Sequence, residues 1–224
     1  MDGLFSKYCK NGELDNIKKI SLENCNLEAG FKFACEDGHY DIVQYLVNLY
    51  KTNERYDPIN IHVNNEYGFR LACQYGHYNV VRYLCELYKH DSNYKMIDIH
   101  VYDESGFTLA CYNGHYEIVQ YLINCHANNL YKPINIHNEW GFRWACRNGR
   151  YEIVKYLVTL YRSDTTYTYK PIDIHARDDY GFELACDNGH HNIVKYLMNL
   201  YKKHDYKPIK NYLMVFAKID KYLL

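Results

Sequence analysis

One phrase recurs along the 224-residue chain: Gly-Phe-x-(Leu/Phe/Trp)-Ala-Cys-x-x-Gly-(His/Arg)-x-x-(Ile/Val)-Val-x-Tyr-Leu. It starts at Gly30, Gly68, Gly106, Gly141 and Gly181, and its Cys falls at Cys35, Cys73, Cys111, Cys146 and Cys186, at intervals of 38, 38, 35 and 40 residues. No other feature constrains the fold as much. A self-similar unit this short cannot bury its own apolar face, so copies must stack in a row.

The period inside each copy is helical. Phe31, Ala34 and Cys35 lie at i, i+3 and i+4, one stripe on a short first helix. Gly38 stands where a helix ends. A second helix is predicted from about Tyr40, with Asp41 in its first turn and a buried stripe of Ile42, Val43, Leu46, Leu49 and Tyr50. An extended finger then follows, Pro58 to His62 in one unit, with matching stretches ending at His100, His137 and His175. A degenerate copy opens the chain, its Phe5, Cys9, Gly12 and Ile17 matching Phe31, Cys35, Gly38 and Val43. The expected architecture is all-α: about six helix-turn-helix units with short fingers and a C-terminal capping helix. It is one repeat domain over 1–224, with a degenerate unit at 1–28, repeats at 29–66, 67–104, 105–139, 140–179 and 180–207, and a cap at 208–224.

These units resemble the ankyrin repeat. Tyr67-Gly68-Phe69-Arg70-Leu71-Ala72-Cys73-Gln74-Tyr75-Gly76-His77 matches that family's first block, and Val80-Val81-Arg82-Tyr83-Leu84 its second. Pro58 to His62 matches the finger block. The chain departs from the pattern in places. Gly replaces the family's Pro where the first helix starts, which is expected to loosen that turn. The family's His in that block becomes Lys32, Arg70, Thr108, Arg143 or Glu183. With its long loops and AT-rich-coded Tyr, Asn, Ile and Lys, the variant is similar to the ankyrin proteins of giant viruses of amoebae. The resemblance implies a non-enzymatic module that binds a host or viral protein through a concave groove. A structural or self-associating virion or virus-factory protein is the alternative.

Composition agrees. The 26 basic residues and 27 acidic residues leave a net charge of −1, without a general field for nucleic acid or an anionic membrane. The longest apolar run, Leu213 to Ala217, is far below the ~20 residues of a membrane span. The N-terminal stretch shows no secretory signal, so an intracellular protein is expected, in the host cytoplasm, with reduced thiols. A protein partner is expected, with no nucleic acid or membrane, and a monomer.

Chemistry-bearing residues point away from catalysis and cofactors. Cys35/His39 recurs as Cys73/His77, Cys111/His115 and Cys186/His190, but stacked helices lie ~8–10 Å apart, so the pairs cannot converge as a four-ligand zinc site requires. Each is expected to be a small buried Cys beside a turn-stabilising His. The His62, His100, His137 and His175 series is expected to form a hydrogen-bonded ladder of fingers. Tyr, 27 residues in all, recurs at fixed register positions, among them Tyr45, Tyr83, Tyr121, Tyr156 and Tyr196. A residue demanded by every unit is scaffold. The loop tyrosines Tyr56, Tyr94, Tyr131, Tyr169 and Tyr206 are expected to anchor each long loop.

Positions that change between units are free to encode a partner. They fall at the finger tips (Asn64, Glu66, Tyr67; Tyr102 to Glu104; Asn138 to Trp140; Arg177 to Tyr180) and before the Gly of each helical turn. The fourth unit deviates most, with both Trp residues of the chain and a finger two residues shorter. Candidate partner-binding residues are Tyr67, Arg70, Tyr75, Tyr112, Trp140, Arg143, Arg147 and Tyr180. Trp and Arg are enriched at binding hot spots. Trp144 is expected in the core, since Leu71, Leu109 and Leu184 hold its position. Trp140 and Arg147 are expected to be exposed.

Overall fold

The structure is a computed structural model and describes residues 2–125, 131–163 and 168–201. The proposed cap at 208–224 and Tyr206 lie outside them. Helices follow in pairs: α1 (Asp2–Asn11) and α2 (Leu14–Ile17), α3 (Leu27–Glu36) and α4 (Tyr40–Thr52), α5 (Val63–Tyr75) and α6 (Tyr78–His90), α7 (Val101–Asn113) and α8 (Tyr116–Asn124), α9 (Trp140–Arg147) and α10 (Tyr151–Ser163), α11 (Ala176–Asp187) and α12 (His191–Tyr201). Among the described residues there is no strand. This is the all-helical repeat solenoid that the periodicity predicts. Two compact units divide it: the described residues up to Ala110 with Gln120–Leu122, and Cys111–Val119 with those from Ile123 on.

In the first unit α3 packs between α1 and α5, and in the second α9 packs on α11. The core is one repeated set. Phe5, Phe69, Phe107, Phe142 and Phe182 are at most 2 % exposed, and Ala34, Ala72, Ala110, Ala145 and Ala185 are fully buried. Burying each such ring contributes roughly 1.5–3 kcal/mol. Both Ile residues of each finger, such as Ile97 and Ile99, are buried as well. Tyr50 is only half-buried, contrary to the expected stripe: its hydroxyl donates to Asp91 at 2.6 Å.

The Gly of Gly-Phe is required for stacking. It lies in the first right-handed turn of the first helix, and a Cβ on Gly68 would sit 2.7 Å from Phe31 Cε1 of the preceding unit. Gly106 faces Phe69 and Gly181 faces Phe142, each at 2.8 Å. The ring can reach the next helix only where no Cβ stands in its way.

The second His position also joins units. His77 Nε2 donates to the Glu36 carbonyl at 2.8 Å, at the open C-terminal end of α3. His39 does the same to Lys10 and His190 to Arg147, each at 2.8 Å. The first helix of a unit is thus capped by a side chain from the next. The fourth unit keeps the role with another donor: Arg150 Nε reaches the Tyr112 carbonyl at 3.0 Å. These residues serve the preceding unit, and not merely their own turn as the sequence had suggested.

Tyrosines form the other seam. Tyr40 meets Tyr83 edge-to-face at 5.7 Å, Tyr78 meets Tyr121 at 5.7 Å, Tyr116 meets Tyr156 at 5.6 Å and Tyr151 meets Tyr196 at 5.7 Å. Each ring at the start of a second helix thus abuts a ring of the following unit. Loop tyrosines go deeper. Tyr94 is 5 % exposed and donates to the Val47 carbonyl at 2.7 Å, and Tyr169 donates to the Ile123 carbonyl at 3.3 Å.

Candidate functional site

The finger runs into its helix through an unusual left-handed turn. Asn64, Asn65 and Glu66 have φ of 53°, 56° and 60°, and residues 102–104 and 177–179 repeat the conformation. Left-handed backbone costs about 1–2 kcal/mol per residue, least for Asn and Asp. Local bonds compensate. The Asn or Asp of each finger accepts the backbone N–H of the following His, as Asn60 does from His62 at 3.0 Å and Asp98 from His100 at 2.9 Å. The His ring in turn holds an acid four residues on: His62 with Glu66 at 2.8 Å, His100 with Glu104 at 3.2 Å and His175 with Asp179 at 2.5 Å.

Glu66, Glu104 and Asp179 are therefore buried scaffold. In sequence they stand among finger-tip positions that vary between units and so read as partner-facing. The signal was present: an acid stands two residues before the Gly of every unit, at Glu28, Glu66, Glu104, Glu139 and Asp179. Its reach between units replaces the expected His ladder, because Glu66 Oε1 accepts from the Asp98 backbone N–H at 3.2 Å.

Arg70 completes this turn in the first compact unit. Its Nε and Nη2 donate to the carbonyls of Asn65 and Asn64 at 2.9 and 3.1 Å. Its guanidinium also lies 5.1 Å from the Tyr67 ring and 5.0 Å from that of Tyr102. Arg70 and Tyr67 are half-buried, whereas Tyr75 is 47 % exposed.

The second compact unit gathers the larger cluster. Trp140 and Trp144 stack with centroids 6.3 Å apart and planes at 19°, and Tyr112 meets Trp144 edge-on at 5.6 Å. Arg143 lies 4.2 Å over the Trp140 ring, Arg177 lies 5.6 Å from the same ring, and Arg147 lies 5.0 Å from Trp144. The two Trp residues and the three arginines, with Tyr180 and Leu184, wall an open cleft of about 340 Å³. Trp140, Tyr112 and Tyr180 are 40 %, 40 % and 44 % exposed, and Arg147 is exposed too. Arg143 is 3 % exposed, so it forms the floor of the cleft, not its rim. Trp144 is half-buried on the cleft wall, where the leucines of other units had suggested core. Arg177, an exposed finger-tip residue, is brought over Trp140 only by the fold, and nothing in its sequence position marks it out from the other variable finger-tip residues.

Burial pushes the thiol pKa of Cys9 up to about 12 and raises those of Cys35, Cys111 and Cys146 well above the ordinary thiol value. Cys186 is half-buried, less enclosed than its counterparts. No group of three or more His, Cys, Asp or Glu among the described residues is placed to hold a metal ion. No described helix is long and apolar enough to cross a membrane.

Residues 5–96, 31–132 and 93–178 each match the protein family described as "Ankyrin repeats (3 copies)". No curated protein matches the chain.

Proposed function

The chain belongs to the ankyrin repeat family, and we propose that it is a non-enzymatic module that holds a host or viral protein, the partner lying across the cleft of the fourth and fifth repeats. Ankyrin repeats are in general protein–protein interaction modules. One observation carries the choice of surface. The residues that recur from unit to unit are engaged in packing or in bonds between units, whereas Trp140, Arg147, Arg177 and Tyr180 face solvent around one cleft, with exposed Tyr112 edge-on to Trp144 beside it. Exposed aromatic rings beside guanidinium groups are the composition of a binding hot spot. The AT-rich-coded composition and long loops support an origin among amoebal giant viruses and a working place in the host cytoplasm.

Affinity capture from host lysate, read by mass spectrometry, tests the reading. Wild type should retain a specific protein that the Trp140→Ala/Arg147→Ala double variant loses at an unchanged melting temperature. Equal capture by both would reject this surface. Concentration-dependent growth in light scattering would favour the self-associating, structural alternative.

A further inference from the structure

The fourth unit differs from its neighbours at one buried charge. Arg143 holds the register position of Arg70, two residues after the Gly. In the unit of Arg70 the left-handed turn is three residues long and offers two carbonyls to the guanidinium. In the fourth unit the finger is two residues shorter. Only Glu139 is left-handed there, and its carbonyl is all that Arg143 Nε reaches, at 3.4 Å. Arg143 Nη1 is buried and has no hydrogen-bond partner. No carboxylate among the described residues lies within ion-pair distance of it. A buried guanidinium left so lacks the charge-assisted acceptor its geometry suits best, a planar carboxylate bound side-on.

Resting on the proposed protein-binding role, we propose that this cleft takes an acidic side chain, Asp or Glu, from an exposed peptide segment of the partner, with a neighbouring apolar side chain against the Trp rings. The carboxylate enters over Arg143, and Arg147 and Arg177 close on it from the rim. Exposed Trp140 and half-buried Trp144 offer apolar ring surface to the flanking residue. The surroundings favour a single acid over a phosphate backbone. Asp178, Glu183 and Asp187 lie along α11 itself, and Glu139 is near enough to interact with Arg143 and Arg177, so a polyanion leaving the cleft would meet like charge.

Both Trp residues of the chain stand in this cleft, so tryptophan emission reports on it alone. The experiment selects random seven-residue displayed peptides on the full chain, then measures the strongest as a synthetic, terminally blocked peptide by tryptophan emission. The expected result is a selected set in which Asp or Glu recurs at one position beside an aliphatic or aromatic residue. Changing that acid to its amide should weaken binding at least tenfold, and Arg147→Gln and Arg177→Gln, both at exposed positions, should each weaken it several-fold. Arg143→Lys, tested where the protein still melts normally, should weaken it more than either. Selected peptides without a recurrent acid, binding indifferent to the amide change, or no peptide that perturbs tryptophan emission would each overturn the proposal. So would an oligonucleotide or inorganic phosphate that displaces the peptide at comparable concentration. If these results go against the acid while lysate capture still depends on Trp140 and Arg147, the protein-binding role stands and only the carboxylate is wrong. If capture fails as well, the role itself falls.

Discussion

Gly68→Ala sets two physical effects against each other. Ala is a better helix former than Gly by up to ~1 kcal/mol in a helix interior, and Gly68 lies in the first right-handed turn of α5, so propensity alone predicts some stabilisation. The stacking predicts the reverse. The new Cβ would stand 2.7 Å from Phe31 Cε1, 3.3 Å from Phe31 Cζ and 3.2 Å from Cys35 Sγ. Carbon atoms rest at about 3.5–4.0 Å, so the ring must retreat by roughly 1 Å. Phe31 is 3 % exposed and Cys35 fully buried, so neither has open space to move into. Overpacking of this kind costs about 1–3 kcal/mol. The net expectation is a loss of about 1–2 kcal/mol. Urea unfolding followed by far-UV circular dichroism measures it. Two companions make the test specific. Gly3→Ala, where nothing lies within 4 Å, should be neutral or slightly stabilising. Adding Phe31→Leu, which removes the opposing ring edge, should make Gly68→Ala less costly than in wild type, with a coupling of at least ~0.5 kcal/mol. A Gly68→Ala protein as stable as Gly3→Ala, or a cost unchanged by Phe31→Leu, would refute close approach as the reason for this Gly.

Other expectations follow from the bonds between units. His77→Ala should cost about 1–2 kcal/mol because it uncaps the Glu36 carbonyl, and Arg150→His should be within ~0.5 kcal/mol of wild type, both by urea midpoint. Tyr121→Ala should cost roughly 3 kcal/mol by opening the seam with Tyr78. Burial alone would raise the Asp91 pKa, but hydrogen bonds from Lys51, Tyr50 and Asn93 outweigh it and bring it from 3.8 down to about 2. A depressed carboxylate stabilises the fold above its unfolded pKa and loses that contribution as pH falls towards the folded one. The melting gap between wild type and Asp91→Asn should therefore be constant above about pH 4 and close between pH 4 and 2. Cys35, Cys73, Cys111 and Cys146 should resist a thiol reagent until the protein unfolds, and Cys186, half-buried, should label ahead of them in mass spectrometry.

The fold was legible because it is repeated. The same Phe, Ala and Cys spacing in each copy fixed two helices per unit, and the loop tyrosines declared themselves as anchors by recurring. What sequence could not show is where a side chain travels once units stack. Gly68 reads as a missing Pro until the Phe31 ring is seen against it. His77 reads as part of its own turn until its ring is found on the carbonyl of the preceding unit. Glu66 looked variable because its chemical neighbours change, although the acid itself never does. The cleft was half legible. The departure of the fourth unit from the repeat pointed to Trp140, Arg143 and Arg147, but Arg177 joins them from 30 residues further on, and only through the left-handed turn of α11.

Hydroxyl-radical footprinting of the protein, alone and with its captured partner, tests the binding surface most directly. Free protein should oxidise at Tyr75, Tyr102, Tyr112, Trp140 and Tyr180, the exposed rings among the described residues. The partner should protect Tyr112, Trp140 and Tyr180 and leave the seam tyrosines Tyr40, Tyr78 and Tyr151 unchanged. Protection confined to those seam tyrosines, with Trp140 still oxidised at its free rate, would contradict the account and move the binding surface to the second helices.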